Sequence, residues 1–136
     1  GQGKDILIIA MGAIAGEAYN AIKDLKNQGI GAAMMVVASI NPPPLDDLRD
    51  ALSGYRLALT VEAHYITGGL GSMVSEVIAE SGVRFKLVRC GIEEQMDGFV
   101  GSQRCLYDKY GLSSRMIADR AVAALQEMGS CKGLRI

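Results

Sequence analysis

Cysteine is scarce in this chain. The three residues, Cys90, Cys105 and Cys131, are odd in number and contain no C-x-x-C pair. That argues against a disulfide framework and against a zinc site, and predicts free thiols in a reducing cytoplasm. No block of like charge stands out, with 14 basic against 15 acidic residues and a net charge of −1. Binding to nucleic acid or to an anionic membrane surface therefore has no electrostatic basis. The apolar runs fall far short of the ~20 residues that cross a bilayer, and no charged segment leads into an apolar stretch with a cleavage site, so no signal peptide is read. Gly-Lys-Ser/Thr is absent, which removes the P-loop. Histidine occurs once, as His64, and no Ser or Cys is placed beside it in sequence as a nucleophile.

What is present is apolar and evenly patterned. Of 136 residues, 49% are hydrophobic and 21% charged, enough for one domain with a sizeable core and too apolar for disorder. The first residue is Gly1 and a strand follows almost at once, so the chain reads as a piece of a longer protein. Asp5 to Met11 is a continuous apolar run, the pattern of a strand buried on both faces. Gly12 breaks it, and a helix stripe of Ile14, Ala18, Ile22 and Leu25 runs from Ala13 to Gln28 before Gly29. Ala32 to Ser39 is a second buried strand. The only three prolines, Pro42 to Pro44, force a loop and lead into a short helix with Leu45, Leu48 and Leu52.

Leu57 to Glu62 is a third strand, and Leu70, Met73, Val74, Val77 and Ile78 mark a helix that stops near Gly82. Val83, Phe85 and Leu87 alternate with Arg84 and Lys86, as in a half-exposed edge strand. Gly91 to Gly101 reads as loop, and Ser102 to Tyr110 as a short helix. Ser113 caps a last helix with Ile117, Ala121, Val122 and Leu125, and residues 128–136 read as a flexible tail. Strand alternating with helix predicts a three-layer α/β/α domain over residues 1–136, with a mainly parallel sheet of four to five strands.

Four constellations can carry chemistry. Gly12-Ala13-Ile14-Ala15-Gly16 is a glycine turn between strand and helix, but its spacing is not that of the dinucleotide fingerprint; a tight turn with close helix–sheet packing is the simpler reading. Thr67-Gly68-Gly69-Leu70-Gly71-Ser72 opens a helix. It can cradle an anion, let the helix approach its neighbours, or form a contact between subunits. Glu62 and His64 are two apart on a strand, so the carboxylate is expected to face the imidazole, which can serve as acid, base or hydrogen-bonding contact. Glu93, Glu94 and Asp97 share a loop without the spacing of a calcium site and are expected to be solvated. Met34, Met35, Met73 and Met116 are expected in the core. No residue is assigned as catalytic and none as a metal ligand.

The ordered motifs place the chain. Gly3-Lys4-Asp5 before an apolar strand, Gly12, Glu17-Ala18, Asn41-Pro42-Pro43-Pro44-Leu45-Asp46, Leu59-Thr60-Val61-Glu62-Ala63-His64, Gly68-Gly69-Leu70-Gly71-Ser72, Gly91-Ile92 and Tyr110-Gly111-Leu112 together resemble the C-terminal domain of the transketolase family of thiamine-diphosphate enzymes. That family includes transketolase, deoxyxylulose-phosphate synthase and the beta subunit of 2-oxoacid dehydrogenases. The resemblance runs from Gly3 to Leu125 and is nearer to transketolase-type halves and the synthase than to the dehydrogenases. Glu93 to Met96 and Ala63 depart from the family pattern.

The resemblance implies a transferase of carbohydrate metabolism that moves a ketol unit between sugar phosphates, with thiamine diphosphate and Mg held by other domains. This chain is expected to bind no cofactor and to be inactive alone. The implied partners are the N-terminal diphosphate- and pyrimidine-binding domains, or a subunit that carries them, in a cytoplasmic homodimer. Glu62, His64, Gly68, Gly69, Gly71, Ser72 and Gly12 are the candidate interface or anion-binding residues. The implied strand order is 2-1-3-4, with an antiparallel edge strand supplied before the fragment. Two other readings stand beside it: a regulatory small-molecule or anion-binding module at Gly12 and Gly68, and a stand-alone enzyme using His64. Self-association is expected through the unpaired edge strand and the helix starting at Leu70.

Overall fold

The computed structural model describes residues 4–82 and 84–130. Four strands, β1 (Ile6–Met11), β2 (Ala32–Val36), β3 (Leu57–Tyr65) and β4 (Lys86–Ile92), form one parallel sheet in the order β2-β1-β3-β4. The helices are α1 (Ala15–Asn27), α2 (Leu45–Ser53), α3 (Leu70–Ser81), α4 (Gln103–Lys109) and α5 (Ser114–Ser130). A 3-10 turn, Gly12–Ile14, joins β1 to α1. Among the described residues no helix is long and apolar enough to cross a membrane.

The unalternating run of β1 is explained by its central place. Ile6, Ile8 and Ala10 pack into the layer of α1 and α5, while Leu7 and Ile9 pack into the layer of α2 and α3. Both faces are covered, so every position is apolar. Each of the three isoleucines and Leu7 contributes about 1.5–3 kcal/mol on burial. The same parity sends Leu57, Leu59 and Val61 of β3 toward α1 and α5. Ala58, Thr60 and Glu62 lie on the opposite parity, where Ala58 joins the α2/α3 core. Polarity on that face thus rises from Ala58 to Glu62 toward the carboxyl end of β3.

Several element boundaries differ from those predicted. β2 ends at Val36 because its one neighbour among the described strands, β1, closes the ladder at Ala10↔Val36. β2 is an edge strand with half-buried Met34 and Met35, and Val36 is 55% exposed. β3 runs on to Tyr65. β4 starts at Lys86, opposite the first residue of β3, and extends through Gly91 and Ile92, which were expected in the loop. A Cβ on Gly91 would come within 3.1 Å of the His64 carbonyl oxygen, so the strands approach there because glycine allows it. Val83 of the predicted edge strand lies outside the described residues.

α5 continues through residues 128–130, which the sequence predicts as tail; the remainder of that predicted tail, with Cys131, lies outside the described residues. Met73 is buried, whereas Met116 is 41% exposed rather than in the core.

The thiols differ sharply in environment. Cys90 is buried on β4, and desolvation pushes its pKa up to about 11 against the opposing pull of Arg120. Cys105 is exposed on α4. In a Cys131→Ser background, native protein is expected to take up one equivalent of a thiol reagent rapidly, at Cys105. Cys90 should react only on unfolding, because the thiolate is the nucleophile; equally fast labelling of both in the native state would contradict the burial.

Candidate functional site at the carboxyl edge

The carboxyl ends of the strands gather most of the candidate residues. Met11 pairs with Glu62, which sets Gly12 at the head of β1 beside the end of the regular part of β3. The ladder between β3 and β4 runs evenly to Val61↔Cys90, then slips by a bulge and resumes at Tyr65↔Ile92. A bulge breaks the two-residue alternation and re-aims the side chains beyond it. Glu62 stays buried while Ala63, His64 and Tyr65 face solvent.

Glu62 therefore does not orient His64, contrary to the expectation from spacing. It turns under the start of α3, where Oε2 accepts the Leu70 N–H at 2.7 Å and Oε1 accepts the Gly71 N–H at 2.9 Å. These are the first two amides of α3, whose N-cap residue, Gly69, has no side chain to offer them. A buried carboxylate eight and nine residues away performs the capping and sits at the positive end of the helix dipole. The anion-cradling geometry read from the glycine cluster is present, and the anion is Glu62 itself.

The glycines are required by this arrangement. A Cβ on Gly69 would fall on Glu62 Oε2 and lie 2.9 Å from Glu62 Cδ. A Cβ on Gly71 would lie 2.7 Å from Arg89 Nε and 2.9 Å from Thr60 Oγ1. Gly12 has φ +79° and makes a left-handed turn, but a Cβ there meets nothing within 4 Å. It is a turn glycine, without the close helix–sheet packing read beside it.

Ser72 ties the loop together. Its Oγ accepts the Gly68 N–H at 2.9 Å and Arg89 Nη2 at 2.9 Å, and donates to the Ile66 carbonyl at 3.3 Å. Arg89 Nη2 also donates to the Ile66 carbonyl. Arg89 Nε and Thr60 Oγ1 are buried beside Gly71 without a hydrogen-bond partner among the described residues. Arg89 was not singled out from sequence, because within β4 it reads as one polar position of an edge strand.

His64 is exposed, with Nδ1 2.8 Å from the Tyr65 carbonyl oxygen. A carbonyl only accepts, so Nδ1 is the donor in this contact. The Tyr65 ring stands edge-on at 6.2 Å, and its hydroxyl accepts the Met96 N–H at 3.3 Å.

The three loop acids do not converge. Asp97 binds Lys109 Nζ at 2.7 Å and accepts the Phe99 N–H, and that lysine holds its pKa below the usual carboxylate range. Glu93 lies 3.6 Å from Arg120. No group of three or more His, Cys, Asp or Glu is placed to hold a metal among the described residues. On the other face, Glu17 Oε2 accepts the Ser114 N–H at 2.7 Å, so the start of α5 is also closed by a distant carboxylate. An open polar crevice of about 490 Å³ lies there, lined by Glu17, Arg104, Tyr107, Asp108 and Arg115 among others; none of the candidate residues lines it.

Residues 1–117 match the family model described as "Transketolase, C-terminal domain". The chain is 33% identical over 122 residues to an apulose-4-phosphate transketolase polypeptide of Actinobacillus succinogenes, covering 90% of this chain and 39% of that protein. It is 37% identical over 126 residues to a putative transketolase C-terminal section of Methanocaldococcus jannaschii, covering 93% and 39%. Among solved structures it is similar to a split-gene transketolase described as an inactive beta4 tetramer, with TM-score 0.81 and 32% identity over 91% of this chain and 39% of that one. This chain thus spans about two-fifths of the length of these relatives. It belongs to the family of transketolase C-terminal domains.

Proposed function

We propose that this chain is the C-terminal section of a transketolase-type transferase, folded as one domain, and that it acts only within an assembly that moves a ketol unit between sugar phosphates. The observation that carries the reading is the match over 90–93% of this chain to proteins of which it spans 39%. The section that binds thiamine diphosphate and a divalent metal lies in the remaining length or in a partner polypeptide.

The carboxyl edge does not fit a diphosphate and its metal. The helix start that the glycine cluster builds is filled by Glu62, and an incoming phosphate would meet that carboxylate in place of free amides. Catalytic steps are accordingly assigned to none of its residues. Gly12, Glu62, Gly68, Gly69, Gly71 and Ser72 shape the edge, and His64 presents its exposed ring from it to a neighbouring protomer. The setting is the cytoplasm, where Cys90 and Cys105 stay reduced, and the assembly is built on a homodimer.

Calorimetric titration of thiamine diphosphate with Mg tests this, first on the chain alone and then with the matching N-terminal section added. Binding in the mixture only, followed by ketol transfer, is the expected result. Binding by this chain alone overturns the reading.

A further inference from the structure

The polar crevice of about 490 Å³ lies between the start of α1, the length of α4 and the start of α5. Apart from the ring of Tyr107, every side chain that lines it is polar or charged. An apolar ligand would gain little there and would strip water from those groups. The crevice takes no part in the reading of the chain as a transferase section.

Its walls are fixed to one another. Glu17 Oε2 accepts the Ser114 N–H at 2.7 Å, which ties α1 to α5. The Leu112 N–H donates to the Tyr107 carbonyl at 2.7 Å, and Gly111, with φ +71°, makes the left-handed turn from α4 toward α5. A crevice held in shape this way gives up little freedom when a small molecule enters.

The chemistry of the lining narrows what that molecule is. Arg104 and Arg115 bring two guanidinium groups to it. Among the described residues neither makes an ion pair; the pairs are those of Arg49, Arg56, Lys86, Lys109 and Arg120. Asp108 follows Arg104 by one turn of α4, a spacing at which opposite charges commonly pair, and it too is without an ion pair. Tyr107 Oη accepts Gln103 Nε2 at 2.9 Å, which leaves its own proton to donate. Guanidinium groups only donate and carboxylates only accept, so one ligand serves both only if it carries a strong anionic acceptor and hydroxyl donors. A phosphate ester of a small polyhydroxy compound has that composition. Its phosphate suits the two guanidinium forks and the Tyr107 hydroxyl, and its hydroxyls suit Asp108 and Glu17. A nucleotide base would find one aromatic ring and no apolar floor.

We propose that this crevice is an accessory binding site for a small phosphorylated polyol, with Arg104 and Arg115 holding the phosphate and Asp108 the hydroxyls. None of Gly12, Glu62, His64, Gly68, Gly69, Gly71 and Ser72 lines it, so the site is separate from the strand–loop–helix junction of β3 and α3.

Amide NMR titrations of the whole chain with glucose 6-phosphate, inorganic phosphate and glucose test it. Glucose 6-phosphate should produce saturable shifts at Asn20, Arg104, Tyr107, Ser114 and Arg115, with a dissociation constant below about 1 mM. Inorganic phosphate should bind more weakly, and glucose not at all. Arg104→Gln/Arg115→Gln should weaken the ester at least about ten-fold. Asp108→Ala should weaken the ester and not inorganic phosphate, and Arg49→Gln on α2 should change neither. The rest of each variant's spectrum should match the wild type. The absence of saturable shifts, shifts confined to other parts of the chain, or a double arginine variant that binds as the wild type does overturns the proposal. Inorganic phosphate binding as tightly as the ester also overturns it, by reducing the crevice to a plain anion site.

Discussion

Replacing Glu62 with alanine is expected to lower the stability of the chain by about 3 kcal/mol, although the residue touches no ligand. The carboxylate accepts two amides at the start of α3 from a position 4% exposed to solvent. A hydrogen bond to a charged group is worth roughly 1.5–3 kcal/mol, and loss of an N-cap alone about 1 kcal/mol. Removing the carboxylate leaves two buried donors without partners and the positive end of the helix dipole uncompensated. For a chain of this size the loss corresponds to a fall in Tm of about 10 °C. Glu62→Gln keeps one carbonyl acceptor but turns an amide N–H toward a backbone donor, so it should fall between the two. His64→Ala, two residues on and solvent-facing, should leave Tm nearly unchanged, since exposed substitutions usually stay within about 0.5 kcal/mol. Formate or acetate should partly restore the Tm of Glu62→Ala and have no comparable effect on the wild type, because the vacated pocket retains two convergent amides. Thermal melts of the three variants with and without formate check this. Equal Tm values for Glu62→Ala and His64→Ala would show that the cap contributes little.

Gly69→Ala is expected to be nearly as damaging, and for the same reason. The backbone at Gly69, with φ −100°, is open to other residues, so the cost is one of space and not of conformation. The new methyl group would fall on Glu62 Oε2. The carboxylate can swing away only by giving up its bonds to Leu70 and Gly71. A loss of about 2–3 kcal/mol follows from breaking those charged hydrogen bonds. The pair makes a double-mutant cycle. In the Glu62→Ala background the methyl group finds the space vacated, so Gly69→Ala should cost no more than about 0.5 kcal/mol. The two losses would then be strongly sub-additive, with a coupling of about 2 kcal/mol. Denaturant unfolding of wild type, both single variants and the double variant measures it. Additive losses would mean that Gly69 is constrained by something other than Glu62.

Much of the α/β frame was legible in the sequence. The two-faced burial of β1 shows as an unbroken apolar run, because a central parallel strand has no solvent face. The stripe of Ala18, Ile22 and Leu25 shows α1, because one helix face meets the sheet. The strand order followed from the resemblance and is the order found. Boundaries were less legible. The alternation from Val83 suggests an earlier start for β4, but a ladder begins only where its neighbour does, and β3 starts at Leu57, opposite Lys86.

The candidate site divides in the same way. From residue types and order alone, the sequence determined that Glu62, His64 and the glycines belong to one strand–loop–helix junction, and that the chain is of the transketolase C-terminal kind. The first is a local property, set by apolar periodicity and by glycine spacing; the second rests on the resemblance of the ordered motifs to that family. Tertiary structure decided what each residue does there. The bulge between Val61 and Tyr65 depends on a partner strand, and it separates two side chains that regular alternation would have put on one face. The use of Glu62 as the cap of α3, of Glu17 as the acceptor for the start of α5, and of Arg89 as the clamp on Ile66 and Ser72 joins positions 8 to 97 residues apart. Which carboxylate meets which helix start is settled by packing across the sheet, and no short-range pattern records it.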